Sequence, residues 1–244
     1  MRAALVRTAT SVAVVISASC VSAAVAFAEE GEASARVLLF SGFDLWRSGA
    51  FAYDGVYWAP GGLDRDGFML KALLGSGVYV YTSGALGNRR VSGRALGAQI
   101  LPGWRFSEGT VELKVFAGLD VGDYRLSPDD PSAGLRGRHT GAQFVIEAWQ
   151  QPTETTMVAG HAAVSTIGGL YHARIAYGWR LFDLFYAGPE LSGFSTIGCR
   201  QARVGLHVTG LRTGAWEWSA ALGFAHDSDG FYGLYGRFGV LVRR

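Results

Sequence analysis

From Arg200 to Arg243 the chain alternates apolar and polar residues with a period of two, and this pattern narrows the fold more than any other feature. Ala202, Val204, Leu206 and Val208 share one parity, while Gln201, Arg203, His207 and Thr209 take the other. Neighbouring residues of a strand point to opposite faces, so such a segment is a ribbon with one greasy and one polar side. Trp216, Trp218, Ala220, Leu222 and Phe224 against Glu217, Ser219, Ala221 and Gly223 repeat the pattern, as do Tyr232, Leu234, Phe238, Val240 and Val242 against Gly233, Arg237 and Arg243.

Upstream segments obey the same rule. Tyr171, Ala173, Ile175, Tyr177, Trp179 and Leu181 oppose His172, Arg174, Gly178 and Arg180; Ala142, Phe144, Ile146 and Ala148 oppose Gln143 and Glu147. Val111, Leu113, Val115, Ala117 and Leu119 oppose Glu112, Lys114 and Asp120, and Phe68, Leu70, Ala72 and Leu74 oppose Lys71 and Gly75. The spacing predicts strands near 36–46, 50–60, 67–81, 91–105, 110–124, 138–150, 155–166, 169–181, 184–194, 199–211, 215–226 and 230–243. These are as long as a tilted strand needs to cross a bilayer, and longer than strands of soluble sheets.

A large soluble sandwich would also alternate, with one face in a core and one in water. Two features favour a membrane barrel. Trp46, Trp58, Trp104, Trp149, Trp179 and Trp216 lie near strand ends, where interfacial aromatic girdles sit. The first 28 residues have the order of a signal peptide: Arg2 and Arg7, an apolar stretch from Val12 to Ala26, and small residues at the exit Ala26-Phe27-Ala28. Cleavage is expected after Ala28, giving residues 1–28 as signal peptide, 29–35 as a short tail and 36–244 as the barrel. After Ala28 no apolar run is long enough for a membrane helix, so the spanning element has to be the strand. In hydrocarbon every backbone N–H and C=O must be paired internally, so the sheet has to close. The expected fold is therefore all-β, a closed antiparallel up-and-down transmembrane barrel of about twelve strands in an outer membrane.

The balance of charge excludes some partners. Of 22 basic residues two leave with the peptide, so 20 face 20 acidic ones, and they are scattered singly. No basic run tracks a phosphate backbone, so nucleic acid is not an expected partner, whereas outer-membrane lipid is. Cys199 remains after removal of Cys20 and is expected to be a buried small residue. With the N-terminus in the periplasm, the outward connections include the two taken as longest, Thr82 to Arg90 and Arg125 to Gly137.

The polar parity collects the candidate lumen residues: Asp44, Lys71, Glu112, Lys114, Asp120, Glu147, His172, Arg174, Arg180, Glu190, Arg203, His207, Glu217 and Arg237. Mixed signs suit a conduit for a neutral polymer, whose hydroxyls exchange hydrogen bonds without a strong electrostatic trap. The same residues paired with one another would fill the barrel, and twelve strands lie between the filled eight-stranded barrel and the open porin. His172, Arg174 and Arg180, with Arg203 and His207 two strands away, form the most basic part, with Glu190 between them.

The strings LFSGFDLWRSGAFA (39–52), APGGLDRDGF (59–68), LPGWRF (101–106), DYRLSPDDP (123–131), AYGWRLFD (176–183) and TGLRTGAWEWSAA (209–221) resemble the cellulose biosynthesis protein BcsS family of alphaproteobacteria over essentially the whole mature chain. The resemblance implies an outer-membrane barrel tied to production of cellulose or a related β-glucan beside a cellulose synthase system. It carries over no catalytic or ligand residues. One departure from barrels in general is the final Val242-Arg243-Arg244 in place of a terminal aromatic, with Phe238 the nearest outward one.

An enzyme is the alternative. His226-Asp227-Ser228-Asp229-Gly230 is similar to the His-x-Ser-Asn-Gly element of outer-membrane phospholipases and lipid A deacylases, with Asp229 in the asparagine position. Residues two apart on a strand share a face, so His226 would act as base towards Ser228. The same residues also compose an ordinary polar turn, which is the favoured reading. Asp64-Arg65-Asp66-Gly67 and Asp129-Asp130 offer oxygens but no twelve-residue calcium loop, the histidines never take a zinc spacing, and no phosphate-binding glycine loop is present, so neither metal nor cofactor is expected.

Overall fold

The computed structural model describes residues 35–196 and 199–244; the predicted signal peptide and residues 29–34 of the tail lie outside them. Twelve strands follow one another among the described residues: β1 Val37–Trp46, β2 Gly49–Trp58, β3 Gly67–Ser83, β4 Arg89–Glu108, β5 Val111–Ser127, β6 Gly137–Thr153, β7 Thr156–Ser165, β8 Tyr171–Leu181, β9 Phe185–Thr196, β10 Cys199–Thr213, β11 Trp216–Asp227 and β12 Tyr232–Arg243. Each pairs antiparallel with its neighbours in sequence, and β1 closes on β12 through a register that sets Phe43 opposite Phe238 and Asp44 opposite Arg237. A closed ring leaves no unpaired edge. No helix among the described residues is long and apolar enough to cross a membrane.

The predicted parity holds in the burial, except that Asp54 of β2, expected inside with Asp44, is exposed and shares the outward parity of Trp58. Leu74, Leu96, Ile100, Leu119, Ile175, Val204, Leu206, Leu222 and Phe224 are all exposed on the outer wall. Their strand neighbours Lys71, Asp120, Gln143, Glu190, Arg203 and His207 are buried inside. An apolar outside around a charged inside is the arrangement that lipid, not water, stabilises. The four tryptophans Trp58, Trp104, Trp179 and Trp216 lie on the outer wall at the terminal end, where β1 begins and β12 ends. They make one girdle there, and Trp218 extends it by stacking on Trp216 and meeting Phe238.

Trp46 and Trp149 depart from the expected girdle. Trp46 shares the parity of Asp44 and points inward, edge-on to Phe194 and beside the Arg203 guanidinium. Trp149 shares the parity of Glu147 and meets Tyr186 at 79° inside the lumen. Strand-end position alone does not make a girdle residue; side-chain parity decides the face.

The wall is uneven. β3 to β6 run for 17, 20, 17 and 17 residues, while β1, β2 and β7 have 10 each. At the end away from the termini, this panel rises past the last ladder partners of β2 (Tyr79) and of β7 (Gln143). The connections are also less asymmetric than expected. Segment 128–136 at the far end is long, but 59–66 at the terminal end is longer than 84–88. The strands run on through Arg89, Arg90 and Ser127, which are too polar to show the alternation.

Candidate functional site

Inside the barrel a cavity of about 1250 Å³ is lined from all twelve strands. Its walls mix aromatic rings with charged groups, and the charges are joined by chords that skip over intervening strands. Lys71 of β3 reaches Glu147 of β6 at 2.6 Å, and Tyr57 of β2 donates its hydroxyl to the same carboxylate at 2.5 Å. Lys71 also sits 5.1 Å from the Tyr57 ring centroid and 5.7 Å from that of Phe116, so aromatic faces share its charge.

A second set crosses the other half. Arg203 of β10 makes two hydrogen bonds to Asp44 of β1, at 2.7 and 2.8 Å, beneath the rings of Trp46, Phe194 and Tyr235. Glu190 of β9 receives Arg174 of β8 at 3.1 Å and Arg237 of β12 at 2.5 Å on one oxygen. Its side chain is only 1% exposed. Asp44 and Glu190 thus offset most of the basic patch expected around these residues, to which Arg237 adds a third arginine, and Arg180 stands apart from it, paired with Asp183 at the β8–β9 turn.

The remaining predicted lumen residues also have partners. Glu112 holds Lys114 at 2.6 Å and Arg105 at 2.7 Å. Asp120 accepts from Ser165 at 2.5 Å and Gln99 at 3.4 Å. His172 faces His161 with their Nδ1 atoms 3.1 Å apart, and His207 Nε2 is 3.1 Å from the Tyr177 carbonyl. Glu217 joins Arg212 and Arg243 at the terminal-end mouth. Five buried polar atoms nevertheless find no partner among the described residues: Tyr79 Oη, Glu190 Oε1, Arg203 Nη2, His207 Nδ1 and Tyr235 Oη. Groups so placed are sites for water or for a polar guest.

Both mouths are narrowed by apolar side chains carried on connections. At the far end Leu135 of 128–136 and Ile167 of 166–170 are buried with Tyr79, and Trp46, Tyr81, Tyr124 and Leu170 pack around them. Asp130 fastens the first of these segments by accepting from Tyr81 at 2.9 Å and from Ser132 N–H and Oγ–H at 3.0 and 2.6 Å. The Ser132 hydroxyl contributes most to holding its carboxyl at about 2. At the terminal end Leu63 of 59–66 packs with Ala59 against Met69, Leu101, Phe116 and Val145. Asp66 latches that segment to Ser107 at 2.5 Å and Arg105 at 3.3 Å, and the Ser107 hydrogen bond lowers its carboxyl pKa. The oxygens of Asp66 and Asp130 are thus engaged by the protein itself.

Several inward groups escaped the sequence reading. Arg105, between outward Trp104 and Phe106, has a legible signal in its parity; Tyr53, Tyr57 and Tyr235 lie on the inward parity too, where a tyrosine does not mark the polar face as a charge does. His226 and Ser228 are not brought together as base and nucleophile. The His226 ring packs on Tyr232 at 4.5 Å, and Ser228 Oγ accepts from Arg200 N–H at 3.1 Å. Asp227 accepts from the backbone of Asp229 and Phe231, which makes the segment a capped turn. Cys199 is half-buried rather than buried.

The model of the family described as cellulose biosynthesis protein BcsS matches residues 38–244, which spans every strand but the first residue of β1. Among solved structures the chain is similar to the translocator domain of the autotransporter NalP from Neisseria meningitidis, at 15% identity and a TM-score of 0.51, covering 87% of this chain and 90% of that one. It is also similar to the β domain of the Bordetella autotransporter BrkA, at 14% identity and a TM-score of 0.50, covering 87% and 100%. At these identities the likeness is one of fold. Among curated proteins, none matches the chain.

Proposed function

The chain belongs to the cellulose biosynthesis protein BcsS family, and from that premise we propose that it is an outer-membrane barrel through whose lumen a neutral β-glucan chain passes. The termini face the periplasm, where a cleaved signal peptide delivers the chain and a cellulose synthase system supplies the polymer. The observation that carries this reading is the composition of the cavity wall. Aromatic rings alternate with charges that are already paired, so the interior offers hydrogen bonds in both directions and little net field.

A filled barrel serving as an envelope scaffold would need neither the 1250 Å³ cavity nor the unpartnered polar atoms that border the second chord set. The apolar plugs at the two mouths fit a resting state, with the segments 59–66 and 128–136 withdrawing as polymer enters. The protein's part is to bind and conduct. Catalysis is not assigned to it, because Ser228 Oγ accepts from the Arg200 N–H and the His226 ring packs on Tyr232.

The test is conductance of the purified barrel in a planar bilayer, with and without soluble cello-oligosaccharides. Current steps that the oligosaccharides interrupt support the conduit. A barrel that never conducts, including after deletion of 128–136, removes it and leaves the scaffold.

A further inference from the structure

We propose that the terminal-end mouth contains a binding subsite for β-linked glucose units, with Trp149 and Tyr186 as its platform. This inference rests on the conduit reading and names where the polymer is first held. Trp149 of β6 and Tyr186 of β9 meet across β7 and β8, with centroids 6.0 Å apart and planes at 79°. Gln151 Nε2 donates to the Tyr186 hydroxyl at 2.6 Å, which anchors the tip of that side chain. Both rings are half-buried, and both line the cavity.

In register, Tyr186 pairs with Thr209 of β10, and three residues on, past the glycine bulge at Gly210, stands Arg212. Arg212 and Arg243 flank Glu217 at 3.3 and 3.0 Å. The platform is therefore continued along the rim by planar groups rich in hydrogen-bonding edges, two guanidinium groups sharing one carboxylate. That combination matches one ligand chemistry. A β-glucose unit has all its hydroxyls equatorial, so its two faces are C–H surfaces that lie on aromatic rings, while its edges present hydroxyls to guanidinium and carboxylate. With the ring planes at 79°, one unit lies flat on one ring while its hydroxyl-bearing edge meets the other, and an extended β-linked chain carries its next unit towards the Arg212–Glu217–Arg243 rim.

The experiment is titration calorimetry of the full barrel in detergent micelles with cellopentaose, and with maltopentaose as the α-linked comparison. Trp149→Ala and Tyr186→Ala should each weaken cellopentaose binding about tenfold, as loss of one ring contact does, Trp149→Phe should recover most of it, and maltopentaose should bind at least tenfold more weakly than cellopentaose to the wild type. Resistance of unheated samples to unfolding in detergent gels verifies that each variant is still a barrel. Equal cellopentaose affinity in wild type and both alanine variants overturns the subsite while leaving the conduit standing. Equal affinity for the two oligosaccharides overturns the assignment to β-linked glucose. Absence of wild-type binding together with currents that cellopentaose leaves unchanged overturns both readings.

Discussion

Replacing Glu190 by glutamine isolates the claim that the lumen's charges are balanced in place. The substitution keeps shape and removes the carboxylate that serves both Arg174 and Arg237. Their nitrogens lie 3.1 and 2.5 Å from the same oxygen, so they are at most 5.6 Å apart, the sum of those distances. Without the anion, two guanidinium charges at that separation repel by about 3 kcal/mol at an effective dielectric of 20. The loss of a partner from a buried pair costs a similar amount, about 3–5 kcal/mol. Glu190→Gln should therefore lower the unfolding free energy in detergent by about 3 kcal/mol, read from urea midpoints at unchanged m-value. Glu190→Gln combined with Arg174→Gln and Arg237→Gln should cost less than the single change, because no charge is then left unmatched. In a planar bilayer the single variant should also shift the reversal potential towards anions. An unfolding free energy within about 0.5 kcal/mol of wild type would refute the reasoning, since it would mean that the two arginines do not depend on Glu190.

Further outcomes follow from the same geometry. Lys71→Met leaves the Glu147 carboxylate buried with the Tyr57 hydroxyl still donating to it but no paired cation, and should destabilise by about 3–5 kcal/mol in the same urea assay; Lys71→Met with Glu147→Leu should recover much of the loss. Leu135→Ala removes buried surface from the far-end plug, so conductance recordings should show more frequent opening while the barrel's heat resistance stays near wild type. Asp130 titrates at about 2 in the folded protein, below its ordinary value of 3.8, so the stability it lends to 128–136 is complete above that ordinary value and fades as pH falls from about 4 to about 2; near-ultraviolet circular dichroism of the Tyr81 environment should change in that window and not between pH 5 and 8. Ser228→Ala should leave the lipid profile of the host membrane unchanged, because Ser228 works on the Arg200 backbone, and altered acylation that depends on Ser228 would restore the enzymatic reading.

The strand order and the two faces were legible because lipid imposes a strict period of two wherever a strand crosses it. The limits of β3 to β6 were not, because beyond the hydrocarbon that pressure vanishes: Arg89, Arg90 and Ser127 belong to strands but look like loop. Trp46 and Trp149 sit at strand ends where a girdle is expected, yet their parity with Asp44 and Glu147 places them inside, so counting from the nearest charge identifies the face of both. The inward residues could be named in advance, but their partners could not. Lys71 finds Glu147 across two strands, and Arg203 finds Asp44 across the closing seam, through a register that exists only once the ring is complete. The plugs had a fainter signal, since Leu63, Leu135 and Ile167 are bulky apolar residues in otherwise polar connections.

The most direct measurement is a nitroxide scan along residues 201–208 of β10 in a reconstituted bilayer, reading collision with oxygen, which concentrates in lipid, against a water-soluble nickel complex. The account predicts oxygen maxima at Ala202, Val204, Leu206 and Val208, and an alternating pattern with labels at Arg203 and His207 shielded from oxygen. Equal access of the nickel complex to both parities, or oxygen maxima at the odd positions, would contradict it.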